Sequence, residues 1–209
     1  MAKGIQTPSF SLAPKSSYNS ADDIVELCAA YGLRLDEWQR NVLKASMGEL
    51  PDGKWAATRV GLTVPRQSGK TALFEARELA GLLLFGEELI LHSAHLVPTA
   101  LEGFQRIKSY FENYDDLGKK VRRIREANGE QGIEMMNGQR LKFMARSKGG
   151  GRGFSADALL LDECQELPET TWAAILPTTS AIRESSGRPG HHTCHRRHQK
   201  RKRAFPEDR

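Results

Sequence analysis

Apolar residues recur at helical spacing in four stretches of the chain, and apolar runs of strand length lie between them. The helical stretches begin near residues 20, 36, 70 and 99. The strand-like runs are residues 58–64, 88–92 and 158–161. Strands that alternate with helices predict an α/β fold with a mostly parallel sheet and helices on both faces.

Residues 133–145 carry the pattern of a β-hairpin. Apolar positions alternate with polar ones before and after Asn137-Gly138. Because Asn and Gly tolerate positive φ angles, this dipeptide predicts a type I′ turn between two antiparallel strands.

The periodic pattern is confined to residues 21–182, which we interpret as one domain. Residues 1–20 are rich in Ser, Pro and Asn and predict a flexible arm. Residues 183–209 contain nine Lys/Arg against three Asp/Glu, and we expect this basic tail to be disordered. The net charge of +5 therefore comes from the tail, so it is poor evidence that the domain itself binds DNA.

The tail has three interpretations. Its histidines and Cys194 could bind zinc, although they lack the usual spacing of ligand pairs. The run from Arg196 to Arg203 could bind nucleic-acid phosphates without sequence specificity. We prefer the hypothesis that the reading frame is broken near residue 182, because the apolar pattern stops abruptly there.

Composition favours a cytoplasmic protein with no membrane segment. Cys28, Cys164 and Cys194 lie far apart, which does not suggest a disulfide framework. No apolar run approaches the roughly 20 residues that span a bilayer, and the N-terminus lacks the apolar core of a secretion signal.

A candidate phosphate-binding loop lies between the first predicted strand and the helix that follows it. Gly69 allows the backbone to approach a phosphate closely, and Lys70 is placed to bind the β- and γ-phosphates of ATP. The Thr71 hydroxyl is a candidate Mg²⁺ ligand. The usual motif has glycine where this chain has Val64. The predicted nucleotide-binding residues of the loop are Arg66, Gln67, Ser68, Gly69, Lys70 and Thr71.

Two adjacent acids, Asp162 and Glu163, end the apolar run 158–161. A carboxylate at the tip of a buried strand needs a partner for its charge, and Mg²⁺ is one. Asp162 is therefore a candidate metal ligand, and Glu163 a candidate base for the attacking water. Because ligands bind at the carboxyl ends of parallel strands, we expect this pair to meet the phosphate loop. The alternative is that both acids merely begin a turn.

Three further residues have both a functional and an ordinary interpretation. The amide of Gln39 could recognise the adenine base, or it could be an exposed helix glutamine beside a buried Trp38. Arg66 and Arg152 could each serve as an arginine finger on the γ-phosphate, or remain solvated structural arginines.

Five sequence blocks in one order resemble the large terminase subunit of tailed phages, over residues 33–178. They are LDEWQ, VPRQSGKT, ILHSAH, NGQRLKF and GRGFSADALLLDECQELPE. The resemblance implies a P-loop NTPase fold of the RecA-like (ASCE) type, incomplete at its C-terminal end. It implies that Gln39 senses adenine, that Lys70 and Thr71 bind phosphate and metal, and that Glu163 is the base that acts beside Asp162. Ser93-Ala94-His95 is similar to the segment after the second strand of helicase-like motors.

The resemblance also implies function and partners. It suggests ATP and Mg²⁺ as cofactors, and ATP-driven packaging of double-stranded DNA into a capsid. The expected partners are the phage portal, the terminase small subunit and further copies of the chain in a ring, in the cytoplasm of the host cell. The resemblance would also include a coupling strand and a C-terminal nuclease domain, and because residues 183–209 carry no pattern of either, we expect both to be absent.

Those missing parts leave two functional hypotheses. The first is a motor domain that binds and hydrolyses ATP. The second is a truncated, non-catalytic remnant that retains at most nucleotide binding. A helicase-like ATPase of host origin fits the order of the blocks less well.

Overall fold

The computed structural model of the chain describes residues 4–65, 67–127, 129–145 and 155–164. The chain divides into two units after Leu73, inside its third α-helix. In chain order the elements are β1 (Tyr18–Asn19), α1 (Ala21–Ala30), α2 (Glu37–Ser46), β2 (Gly48–Glu49), α3 (Thr71–Ala80), a π-helical turn (Gly81–Phe85), β3 (Leu89–Ala94), α4 (Val97–Asn113), α5 (Asp115–Gly118), β4 (Val121–Arg125), β5 (Gly132–Met135), β6 (Arg140–Ala145) and β7 (Ala158–Leu161).

The described part of the first unit, residues 4–73, contains two helices and a small sheet. Helix α1 buries Ile24, Leu27 and Cys28, which are apolar positions of the predicted helical stripe, and it packs against α2. Strand β1 pairs antiparallel with β2, with Tyr18 opposite Glu49. The end of the predicted arm at residues 1–20 is thus paired, and the flexibility of the arm stays a prediction.

The strand predicted at residues 58–64 is wrong. The structure describes all seven positions and assigns none of them to a strand. Val60 and Leu62 are 57% and 43% exposed. The apolar content of a segment makes a strand only when a neighbouring strand covers it and pairs its backbone, and Gly61 weakens the strand preference of this one further.

The described part of the second unit, residues 74–164, contains a five-stranded sheet with the order β4-β5-β6-β3-β7. Strand β3 pairs in parallel with both β6 and β7. Strand β5 pairs antiparallel with both β4 and β6, so β5 alone among these strands runs against the others. The mostly parallel sheet predicted from the sequence is therefore confirmed.

Helices α3 and α4 contact one face of this sheet. Glu78 of α3 binds His92 of β3, and Gly103 of α4 lies against the same histidine ring. Phe104 of α4 packs edge-on against Phe143 of β6. The prediction that helices cover both faces is not tested by these contacts. In the part of the chain that the structure describes, no helix has the length and apolar character needed to cross a membrane.

Gly86 has a φ of 68° and ends the π-helical turn after α3. The hairpin predicted at residues 133–145 is confirmed as β5 and β6, but its turn is not type I′. Of the Asn137-Gly138 pair only Gly138 has a positive φ, 89°, and its N–H donates to the carbonyl oxygen of Met135 at 3.0 Å. The tight turn is therefore centred one residue earlier than predicted.

A carboxylate and an imidazole are buried together in the core of the second unit. Glu78 Oε1 lies 2.5 Å from His92 Nδ1, and both side chains are almost fully buried. Phe143 stacks on the histidine ring at 4.9 Å, and Phe74 lies at 5.3 Å. Burial raises the pKa of Glu78, and the attraction and hydrogen bond of His92 oppose this rise only in part. Nearby Glu75 raises it further.

We expect Gly132→Ala to destabilise the protein by about 1–3 kcal/mol, because overpacking against backbone cannot be relieved by a rotamer change. A Cβ at this position in β5 would lie 2.6 Å from the carbonyl oxygen of Leu141 in the paired strand. Gly61→Ala is the matched control, since a Cβ there meets nothing within 4 Å. Urea unfolding of both variants measures the difference. Equal stability of the two variants would contradict the predicted clash.

We expect the stability gap between Glu78→Gln and the wild type to change with pH. The raised pKa of Glu78 means that the folded protein holds this proton more tightly than the unfolded chain does, so wild-type stability falls as the pH rises above about 4.5. Glu78→Gln lacks this titrating carboxyl group. Its free energy of unfolding should therefore rise relative to that of the wild type between pH 5 and pH 8. Glu112→Gln, an exposed glutamate of α4, is the control and should run parallel to the wild type. A gap that stays constant would refute the raised pKa.

Candidate functional site

The loop ahead of helix α3 contains the predicted phosphate-binding residues. Gln67 and Gly69 both have left-handed backbones, with φ of 59° and 83°. The Ser68 hydroxyl donates to the carbonyl oxygen of Pro65 at 2.6 Å and closes the turn. A turn with left-handed residues directly before a helix N-terminus is typical of loops whose N–H groups bind phosphate.

Lys70 and Thr71 stand where the loop becomes the helix. Thr71 is the first residue of α3, and both side chains are half-buried. The Ala72 N–H donates to the Gly69 carbonyl at 3.2 Å, and the Leu73 N–H to the Lys70 carbonyl at 3.0 Å. An ammonium and a hydroxyl are thereby held at the positive end of a helix dipole, where an anion is favoured.

Gln39 is bound to this loop rather than exposed. Its side chain is buried, and its Nε2 donates to the carbonyl oxygen of Gly69 at 2.9 Å. Its Oε1 accepts a hydrogen bond from the backbone N–H of Asp36 at 2.7 Å, as part of a capping box at the start of α2. The alternative of an exposed helix glutamine is therefore wrong, and a role of Gln39 in adenine binding stays a prediction.

The two predicted acids follow strand β7 directly. Asp162 is buried, and its N–H donates to the carbonyl oxygen of Ser93 in β3 at 2.9 Å. Its Oδ1 accepts from the backbone N–H of Glu163 at 2.8 Å. Glu163 is half-buried and has a left-handed φ of 53°. The acids therefore lie at the carboxyl end of a parallel strand, as the sequence predicted.

The neighbouring strand β3 ends at the same edge of the sheet. Ser93 pairs in register with Leu161, and β3 ends at Ala94. Ser93 and Ala94 therefore lie within the strand, and only His95 follows it, with an exposed side chain.

Backbone strain marks both predicted motifs. Among the described residues other than glycine, positive φ occurs only at Gln67 and Glu163. Holding such a residue in the left-handed region costs about 1–3 kcal/mol, and strain of this kind clusters at functional sites. One of the two residues belongs to the phosphate loop and the other to the acid pair.

The described residues do not bring all parts of the predicted site together. The phosphate loop belongs to the first unit and the acid pair to the second, so their convergence stays a prediction. Arg66 and Arg152, the two candidate arginine fingers, lie outside the described residues, as does the basic tail from residue 183.

The described donors have the chemistry that Mg²⁺ prefers. The Thr71 hydroxyl and the Asp162 carboxylate are hard oxygen ligands, and Mg²⁺ usually takes only one or two of these from a protein beside water and phosphate oxygens. Within the described ranges, no three His, Cys, Asp or Glu side chains are grouped so that they could hold a metal by themselves.

The hydrogen bond from Gln39 to Gly69 was not predicted from the sequence. Part of the signal was readable, because Asp36 and Gln39 have the spacing of a capping box. That pattern indicates that the side chain of Gln39 turns back toward the start of α2. It does not indicate the carbonyl 30 positions later in the chain that the amide also reaches.

Comparison with known proteins identifies a protein family and a similar solved structure. The family model described as terminase large subunit, T4likevirus-type, N-terminal, matches residues 62–174, more than half of the chain. The fold is similar to the crystal structure of the HK97 bacteriophage large terminase, with a TM-score of 0.64 and 18% sequence identity. This match covers 78% of the present chain and 36% of the HK97 chain, so the present chain corresponds to about a third of that protein. No curated protein matches the chain.

At 18% identity the HK97 structure supports the fold alone, whereas the family match, over residues 62–174, includes the phosphate loop, the hairpin and the acid pair. The chain belongs to the family of terminase large subunits, in the N-terminal part of the T4likevirus type.

Proposed function

We propose that this chain is the ATP-binding motor part of a terminase large subunit, with a P-loop NTPase fold, and that hydrolysis of ATP drives packaging of double-stranded DNA. The observation that carries the proposal is the strained backbone at Gln67 and Glu163. A fold maintains such strain when the residue has a task that the relaxed conformation would not perform. Each strained residue lies in a motif whose side chains suit one half of ATP hydrolysis.

The loop and the start of α3 supply the binding half. The N–H groups of residues 67–71 and the N-terminus of the helix bind phosphate oxygens, and the Lys70 ammonium neutralises the β- and γ-phosphates. The Gln39 amide, whose proposed role is to recognise adenine, binds this loop at the Gly69 carbonyl.

The acid pair supplies the hydrolytic half. Glu163 accepts a proton from the attacking water and orients it toward the γ-phosphate. Asp162 and Thr71 would hold Mg²⁺, which when bound draws negative charge from the phosphates. The backbone N–H of Glu163 holds the Asp162 carboxylate in place at the end of β7.

Other components of the motor are proposed from the family. An arginine, Arg66 or Arg152, stabilises charge on the γ-phosphate, from the same subunit or a neighbouring one. Double-stranded DNA, the portal, the small subunit and further copies of the chain in a ring are the proposed partners. These assignments apply to a complete terminase large subunit. The present chain matches about a third of the HK97 protein.

We expect Lys70→Ala to weaken ATP binding by about 10- to 100-fold, because a hydrogen bond to a charged group contributes roughly 1.5–3 kcal/mol. Isothermal titration calorimetry with Mg-ATP measures the affinity. Lys44→Ala is the matched control, since Lys44 is an exposed lysine on α2. If the folded wild type binds ATP no better than Lys70→Ala does, the phosphate loop has been assigned wrongly.

We expect Glu163→Gln to keep its affinity for ATP but to lose hydrolysis by about 10²- to 10⁴-fold, the usual contribution of a general base. Phosphate release by the wild type, Glu163→Gln and the surface control Glu102→Gln measures this effect. Hydrolysis by Glu163→Gln at the wild-type rate would remove Glu163 from the mechanism. A wild type that binds ATP without hydrolysing it would instead favour the second candidate function, nucleotide binding without turnover.

A further inference from the structure

The side chain of Gln39 connects the start of helix α2 to the phosphate loop. It is only 4% exposed, and both ends of its amide bind backbone groups. Oε1 accepts from the Asp36 N–H at 2.7 Å, and Nε2 donates to the Gly69 carbonyl at 2.9 Å. A buried polar group with two such bonds is a fixed part of the structure rather than a mobile surface side chain.

These partners determine which way the amide faces. A backbone N–H only donates and a backbone carbonyl only accepts, so the oxygen must face Asp36 and the nitrogen must face Gly69. A flipped amide would break both hydrogen bonds. The orientation of Gln39 is therefore set before any ligand is present.

The loop at the other end of this connection is strained. Gln67 is left-handed, and Gly69 has a φ of 83°. Among the described residues, the Gly69 carbonyl accepts hydrogen bonds from the Ala72 N–H at 3.2 Å and from Gln39 Nε2 at 2.9 Å. The Gln39 amide approaches Gly69 so closely that a Cβ on this glycine would lie 3.2 Å from Nε2. The hydrogen bond from Gln39 therefore ties this turn to a residue outside the loop.

We propose that Gln39 is a positioning residue of the phosphate loop, which holds the left-handed Gly69 turn ready for a triphosphate whichever base the nucleotide carries. The proposal rests on the proposed function, because it takes residues 65–71 as the phosphate-binding loop. It goes beyond recognition of adenine, since the hydrogen bond to Gly69 acts on the phosphate end of the ligand.

A glutamine amide has two N–H donors and two acceptor lone pairs, and these two hydrogen bonds use one of each. Because the side chain is only 4% exposed, these backbone contacts and not a ligand account for its orientation.

The test compares ligands with and without a base. The affinities of inorganic Mg-triphosphate, Mg-ATP and Mg-GTP are measured by calorimetry for the wild type, Gln39→Met and the control Asn41→Met, which also replaces an amide on α2. We expect Gln39→Met to lower the affinity for all three ligands by about tenfold, because one lost hydrogen bond costs roughly 1.4 kcal/mol. Asn41→Met should lower the affinity for none of them. Loss of ATP affinity alone, with triphosphate and GTP unchanged, would overturn the proposal.

A second variant separates the loop from the helix cap. Gln39→Glu keeps an oxygen for the Asp36 N–H, and glutamate is a common residue at this capping-box position, so α2 should still form. It loses the donor to Gly69 and places an oxygen against that carbonyl. We therefore expect Gln39→Glu to lower the affinity for inorganic triphosphate at least as much as Gln39→Met does. An unchanged affinity would overturn the proposal.

A measurement on the nucleotide-free protein distinguishes failure of this proposal from failure of the proposed function. Hydrogen–deuterium exchange of the peptide that contains residues 67–73 should be several-fold faster in both Gln39 variants than in the wild type or Asn41→Met. If the wild type binds neither ATP nor triphosphate, the proposed function fails, and this exchange rate alone decides whether Gln39 holds the loop. Unchanged exchange in both Gln39 variants would overturn the positioning role.

Discussion

The second unit depends on the pairing of strand β3, whose six residues are all buried. A buried backbone group without a hydrogen bond costs about 1–3 kcal/mol, so both edges of this strand must be paired. Strands β6 and β7 supply the two edges, and both run parallel to β3. The pairing continues one residue beyond β7, where the N–H of Asp162 donates to the Ser93 carbonyl. The position of the acid pair therefore follows from the hydrogen bonding that the core requires.

Two apolar runs of the sequence, residues 88–92 and 158–161, were predicted correctly as strands, and their boundaries differ little from those of β3 and β7. Strand β3 is buried along its whole length, and the side chains of β7 alternate between buried and half-buried. Strand β4 gave no such signal, because three of its five residues are arginines. Residues 58–64 gave a false signal, since pairing and not composition alone decides whether a strand forms.

The candidate site was predictable as far as it depends on local sequence. Lys70 and Thr71 at the start of a helix, and Asp162 and Glu163 after a buried strand, could be read from the apolar pattern and its ends. The left-handed backbones of Gln67 and Glu163 could not, because neither residue type favours positive φ and the conformation is imposed by surrounding structure. The contact of Gln39 with the loop could not be predicted either, because neither segment carries a pattern that indicates a contact with the other.

The connection through Gln39 contains one side chain and two main-chain groups. Every residue except proline carries a backbone N–H, and every residue carries a carbonyl. The side chain at the Asp36 end can therefore change in evolution without removing this hydrogen bond, whereas Gly69 is restricted by its positive φ and Gln39 supplies both side-chain atoms of the connection. The connection to the loop therefore needs only two particular residues, Gln39 and Gly69, and sequence identity over the chain as a whole carries little information about whether it is present.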